Sequence, residues 1–177
     1  MLTKIKKWVN CIDSLSLWVG RVSRWFVLLI MVFAVWEVFS RYVLNSPTIW
    51  VWDVNTQVLL FLGTMSGAYS MLHNGNVRVD IFYSKLSARN KALVDLLTSI
   101  FSFAFIIILL WKGLDMSITS FMMNERAASY WDPPMYWIKM TIPLGALLML
   151  LQGLAIFVRN LVFAVTGEEM PNKVQQQ

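Results

Sequence analysis

The chain has 177 residues, of which 58% are hydrophobic, only 14% are charged and nine are tryptophan. This balance excludes an ordinary soluble globular domain and is typical of a protein that lies in a lipid bilayer. The net charge of +5 would also suit nucleic acid, but most basic residues flank apolar runs, so membrane lipid is the predicted partner and nucleic acid is not.

Residues 1–24 are predicted to form an amphipathic helix that lies on the inner membrane surface. Apolar side chains recur there at steps of three and four residues, whereas Asp13 and most basic residues fall elsewhere around the helix. The apolar positions of this segment are Ile5, Trp8, Ile12, Leu15, Val19 and Val22.

Residues 25–160 contain four apolar segments, each long enough to cross the hydrocarbon core of a bilayer as a helix. A span needs about 20 residues, and only a helix or a closed barrel satisfies its own backbone in lipid. The fold class is therefore all-α integral membrane, with a polar tail over 161–177. The four spans are predicted at about 25–44, 54–72, 93–116 and 140–158.

The basic residues predict the orientation of these spans. Eleven of the fifteen lysines and arginines lie before the first span, between the second and third, or after the fourth. The other four, Arg41, Lys112, Arg126 and Lys139, lie on the opposite side. Because the cytoplasmic side carries the excess of basic residues, both termini are predicted to be cytoplasmic.

Three ionisable residues lie within or beside the first hairpin of spans. Glu37 and Arg41 are four residues apart on the first helix and can pair, and Asp53 could reach the Arg41 end across the turn at Asn45. Charges inside a span are costly and need a partner or a wet cavity. They could clamp the hairpin, hold a partner subunit, or relay a proton.

Small and polar residues in the second and fourth spans predict close helix packing. Gly63 and Gly67 belong to a small-residue stripe that lets a sibling helix or a foreign helix approach. Gln152 in the fourth span is most simply a donor to a neighbouring helix.

A rigid aromatic loop is predicted on the outer face, before the fourth span. Its prolines remove backbone donors, and its aromatic rings suit either a membrane interface or the docking of an extracytoplasmic partner. The outer docking candidates are Trp52, Trp131, Tyr136 and Trp137.

The chain carries no recognisable catalytic or metal site in its sequence. His73 is the only histidine and Cys11 the only cysteine, so a bis-histidine haem and a multi-cysteine metal site cannot form within this chain. A nucleotide-binding glycine motif is absent as well. We therefore predict that the protein is not an enzyme and has no cofactor.

These features together resemble the small membrane subunit of tripartite ATP-independent periplasmic (TRAP) transporters, the DctQ-like family, over roughly residues 20–160. The inner loop departs from the family pattern, because Asn76 stands where histidine is usual. The residues that carry the resemblance are Arg41, Tyr42, Asn45, Pro47, Trp52, Asp53, Gly63, Gly67, the inner-loop motif with Gly75, Arg78 and Asp80, then Ile142, Pro143, Leu144, Gly145 and Gln152.

The resemblance implies a non-catalytic scaffold in the bacterial inner membrane. Its partners would be a large multi-helix subunit, which carries the substrate and sodium sites, and a periplasmic binding protein that delivers the substrate. Family substrates are organic acids, such as C4-dicarboxylates, sialic acids and other sugar acids.

Two other classes of protein compete with this interpretation. A small autonomous oligomeric transporter would use Glu37 as a proton-coupled carboxylate and would be active alone. A membrane anchor of a respiratory enzyme would be expected to supply haem ligands, and the single histidine argues against this class.

Overall fold

Helices form nearly all of the chain that the structure describes, which comprises residues 2–73, 88–167 and 174 of a computed structural model. The helices in these ranges are α1 (Leu2–Tyr42), α2 (Val51–Leu72), α3 (Ala88–Met122), α4 (Tyr136–Lys139) and α5 (Thr141–Thr166). No β-strand occurs within them apart from one isolated bridge between Arg126 and Pro134. The prediction of an all-helical protein is confirmed for this part of the chain.

Three of the helices are long and apolar enough to cross a membrane. They cover Lys6–Tyr42, Val94–Met122 and Tyr136–Val165, the last of which includes α4 and most of α5. The second predicted span is also a helix, α2, and its 22 residues would reach about 33 Å. It carries Asp53, Asn55 and Gln57 in its first two turns and is not among the three candidate spans.

Helix α1 joins two segments that the sequence analysis separated. Residues 1–24 and 25–44 were predicted as a surface helix and a span, but one helix of 41 residues runs through the boundary. The helix contains no proline, and Gly20 is its only glycine, so its sequence provides no strong break. It ends just before Asn45, whose φ of 51° is a left-handed conformation that asparagine tolerates.

Helix α5 is also longer than the predicted span. It continues past residue 158 to Thr166 and so occupies the start of the segment that was assigned to the tail. Apolar residues at 161–165 extend the pattern, and Gly167 ends the helix in the left-handed conformation with φ of 73°.

The helices lie side by side in the order α1, α2, α5, α3. Helix α5 packs against α2 on one side and α3 on the other, and α2 packs in turn against α1. The first part of α1 also contacts α5. Because most helices in such a row have neighbours on only two sides, many large apolar side chains of α1 and α3 remain exposed.

The contact between α2 and α5 is close because glycines lie at the crossing. A Cβ atom added to Gly145 would clash with the carbonyl oxygen of Thr64, so the two backbones nearly touch there. Gly67 faces Met149 in the same contact. Small residues allow helix backbones to approach in this way within membranes.

Candidate interaction surfaces and polar clusters

A buried polar cluster joins the first part of α1 to α5. Gln152 is fully buried and donates a hydrogen bond of 3.2 Å from Nε2 to Oδ1 of Asp13. Its own Oε1 accepts a 2.7 Å hydrogen bond from Oγ of Ser16. The other oxygen of Asp13 accepts from the guanidinium of Arg159, and the two form a salt bridge. The cluster thus compensates a buried carboxylate with an amide and a guanidinium.

The sequence predicted one member of this cluster, Gln152, and missed Asp13, Ser16 and Arg159. Gln152 does bond to a neighbouring helix, as expected of a polar side chain in a span. Asp13 was placed on a polar face of the surface helix, whereas its side chain is fully buried against α5. Asp13 and Arg159 are far apart in sequence. Their salt bridge could have been predicted only if α1 and α5 were already known to be neighbours.

The face of α1 that packs against the protein also differs from the predicted apolar stripe. Ile12 is buried, but Trp8, Leu15 and Val22 are exposed. The buried side of this segment contains Val9 and Leu17 as well as Ile12, together with the polar residues Ser16 and Ser23. The apolar stripe is therefore largely free to face lipid, while polar groups meet inside the protein.

Glu37, Arg41 and Thr48 close the turn between α1 and α2. Arg41 donates from Nη2 and Nε to Oε1 of Glu37 at 2.5 and 3.1 Å, which is the ion pair that the spacing suggested. The second carboxylate oxygen of Glu37 accepts from the hydroxyl and the backbone N–H of Thr48. Both oxygens of Glu37 are thus engaged within the same hairpin.

Asp53 binds a different partner from the one expected. Its Oδ2 accepts a 2.6 Å hydrogen bond from Oγ of Ser129, in the connection between α3 and α4. The predicted contact between Asp53 and Arg41 is therefore wrong, because the Arg41 side chain binds Glu37 on its own helix. The bond to Ser129 ties the start of α2 to the loop that follows α3.

The connection between α3 and α4 is an ordered hairpin. Backbone bonds join Ala127 to Pro133 and Met135 to Glu125, each at 2.9 Å. Glu125 also receives a 2.5 Å hydrogen bond from Nζ of Lys139, and this contact holds the pKa of the Glu125 carboxyl below its ordinary value of 4.5. Arg126 and Asp132 form a further salt bridge across the hairpin.

The aromatic residues proposed for docking lie around this hairpin in different environments. Trp52 and Trp137 are strongly exposed, with 80% and 66% of their surface accessible, and Trp131 is 44% accessible. Tyr136 is half-buried, and its ring packs edge-on against Phe121 at 5.6 Å. Trp52, Trp131 and Trp137 therefore have accessible ring surface, whereas Tyr136 mainly supports the hairpin.

The two glycines of the α2 stripe have separate surroundings. Gly67 faces Met149 of α5, so it serves packing within the chain. Gly63 is exposed and has no atom within 4 Å of the position that a Cβ would occupy. The Gly67 end of the stripe is therefore packed against α5, whereas the Gly63 end has no protein neighbour among the residues described.

The remaining predicted site residues belong to the inner loop. Gly75, Arg78 and Asp80, together with Asn76, lie outside the described residues. His73, at the end of α2, is described: its Nδ1 lies 3.0 Å from the carbonyl oxygen of Tyr69. Among the described residues no cluster of three histidine, cysteine or acidic side chains could hold a metal ion.

Comparison with known families places these features in a group of transporters. Residues 28–163 match the family of tripartite ATP-independent periplasmic transporters, DctQ component. A comparison with curated proteins finds no match. The matched segment covers most of the chain and includes Glu37, Asp53 and Gln152. The chain therefore belongs to the DctQ family, the small membrane component of TRAP transporters.

Proposed function

We propose that this chain is the non-catalytic scaffold subunit of a TRAP-type importer of an organic acid, such as a sialic acid, another sugar acid or a C4-dicarboxylate. The observation that carries the proposal is the family match over residues 28–163. The family forms one component of a transporter and is not a catalytic family. The proposed partners are a large sodium-coupled membrane subunit and a periplasmic binding protein.

The proposed topology has four spans in the bacterial inner membrane, with both termini in the cytoplasm. Three spans follow from length and hydropathy, and α2 is the fourth. Its close packing along α5 supports a transmembrane position, because α5 is itself a candidate span. The basic residues support the orientation.

The lateral surface of the helical row is the proposed contact with the large subunit. Helices α1 and α3 expose many large apolar side chains, so a second membrane protein has room to pack against them. Gly63 supports a contact on the α2 face, because its open surroundings would admit a foreign helix at short distance.

The outer hairpin and the exposed tryptophans are the proposed contact with the periplasmic binding protein. Two hydrogen bonds hold the hairpin: Lys139 of α4 donates to Glu125, and Ser129 donates to Asp53 of α2, so its shape does not depend on a partner. A preorganised surface loses less conformational entropy on binding. Trp52 and Trp131 offer the kind of aromatic surface that often anchors protein interfaces.

The geometry of Glu37 supports a structural role in this proposal. A proton-coupled carboxylate needs a path to water and freedom to exchange protons. Both oxygens of Glu37 are occupied by Arg41 and Thr48 at the end of α1. This arrangement is suited to holding the first hairpin closed.

Purification in a mild detergent, with the chain tagged in its native operon, tests the proposal. We expect a large polytopic membrane protein to be recovered in fixed ratio, and transport in liposomes to need both subunits and the binding protein. The variant Gly63→Leu should fold but lose the large subunit, while Gly63→Ala should retain it. A homo-oligomer of this chain that transports solute alone would overturn the proposal and favour the autonomous transporter.

A further inference from the structure

The first half of α1 exposes basic and aromatic side chains and buries its acid. Asp13 is the only acidic residue before Glu37, and it is fully enclosed with Arg159. The basic side chains of the described part of this segment remain on the surface. They are Lys6, Lys7, Arg21 and Arg24, and the exposed tryptophans beside them are Trp8, Trp18 and Trp25.

Spacing along the helix brings these two kinds of side chain together. Arg21 lies three residues after Trp18 and four before Trp25, so the three are neighbours on one face. Lys7 is eleven residues before Trp18, which is close to three helical turns and places it on the same side. The surface formed by Lys7, Trp18, Arg21 and Trp25, flanked by Lys6 and Arg24, is named here the basic tryptophan face.

The basic residues on the opposite side of the protein are neutralised. Arg41, Lys112, Arg126 and Lys139 each lie within 3.7 Å of a carboxylate. No salt bridge to the four exposed basic residues of α1 occurs among the residues described. The charge of the basic tryptophan face is therefore uncompensated within this part of the protein.

We propose that the basic tryptophan face binds anionic phospholipid headgroups of the inner leaflet. The inference rests on the proposed topology, which puts the start of α1 on the cytoplasmic side. Lysine and arginine are attracted to the negative surface of this leaflet, and tryptophan is favoured at headgroup level. The cluster of Asp13, Gln152 and Arg159 makes the face possible, because it removes the only acid of the segment from the surface.

Cys11 provides a local probe of this surface. It is exposed, lies one helical turn after Lys7 and is the only cysteine of the chain, so a fluorophore can be attached without further substitution. The labelled full-length chain, with the large subunit if it co-purifies, is placed in phosphatidylcholine nanodiscs. Quenching is then compared between two lipids with a nitroxide near the headgroup, one a phosphatidylglycerol and the other a phosphatidylcholine at the same mole fraction.

We expect the phosphatidylglycerol to quench about fivefold more strongly, which corresponds to the attraction of one basic side chain to an anionic surface. Lys7→Gln with Arg21→Gln should bring this ratio close to one. The matched control, Lys112→Gln with Arg126→Gln, also removes two exposed cations and should leave the ratio unchanged.

Equal quenching by the two lipids, or quenching by neither, would overturn the lipid site. Recovery of the large subunit is measured in the same preparations and reports on the scaffold role. Equal quenching in an intact complex would thus reject the lipid site alone, whereas loss of the complex would count against the proposed function.

Discussion

At the scale of single residues, one group of buried polar side chains is paired between α1 and α5. Gln152 connects Asp13 and Ser16, and the carboxylate of Asp13 meets the guanidinium of Arg159. An unpaired charge is costly in a bilayer, and a paired charge still needs its partner in place. The stability of the contact between α1 and α5 therefore depends on a few named atoms.

Replacing Asp13 with alanine should destabilise the protein strongly. The change leaves the guanidinium of Arg159, whose side chain is only 11% exposed, without its carboxylate. We expect a loss of about 3 kcal/mol in the free energy of unfolding, as is typical when one partner of a buried pair is removed. The measurement is unfolding of the purified protein in mixed detergent micelles, followed by circular dichroism.

Two further variants show whether the pair itself is responsible. Asp13→Leu combined with Arg159→Met removes both charges and should recover most of the loss. Asp115→Ala removes an acid from an exposed pair with Lys112 and should cost less than about 0.5 kcal/mol. If Asp13→Ala costs no more than Asp115→Ala, the buried cluster does not stabilise the fold.

At the scale of helices, the contact between α2 and α5 depends on the absence of side chains. Thr64 and Gly145 bring the two backbones together, and Gly67 receives Met149 further along. Shape complementarity of this kind replaces the hydrophobic driving force, which is weak between helices that are already in lipid.

Gly145→Ala should weaken this helix contact, whereas Gly63→Ala should not. The added methyl group at Gly145 would clash with a backbone carbonyl, which cannot move away without separating the helices. We expect a cost of about 1–3 kcal/mol, as for overpacking elsewhere. Gly63 has open space, so the same substitution there is the matched control. Equal effects of the two variants on unfolding would contradict the observed crossing of α2 and α5.

At the scale of the whole molecule, the row of helices is suited to a scaffold. Helices in a row expose broad apolar faces to lipid or to another membrane protein, whereas a closed bundle would bury them. The hydrogen bond from Ser129 to Asp53 joins the hairpin between α3 and α4 to the start of α2, so the helices are connected there as well as along α5.

Labelling in intact bacterial cells should place the outer hairpin and the start of α1 on opposite sides of the membrane. Tyr130 is 98% exposed, so Tyr130→Cys in a Cys11→Ser background should react with a membrane-impermeant maleimide after the outer membrane is opened. Cys11 of the unmodified chain should react only after the inner membrane is permeabilised. If α2 does not cross the membrane, both cysteines will lie on the same side and react under the same conditions.

The amino-acid sequence alone was sufficient to predict the fold class, the existence of the four long helices and the family. Long apolar runs require helices in lipid whatever their neighbours are, so the all-helical fold and the helical nature of all four predicted spans could be predicted. The ion pair of Glu37 and Arg41 was also predictable, because residues four apart in a helix meet without tertiary structure.

Only the tertiary structure decided which distant residues meet. The pairing of Asp13 with Arg159, the partner of Asp53 and the different surroundings of Gly63 and Gly67 depend on which helices are neighbours and at what height they cross. Periodicity shows that a helix has distinct faces, but an apolar face can meet lipid or protein equally well. Lipid and the protein interior are both apolar in a bilayer. Polarity alone could therefore not predict that Asp13 of α1 would be buried against α5 while the tryptophans of the same segment are exposed on the protein surface.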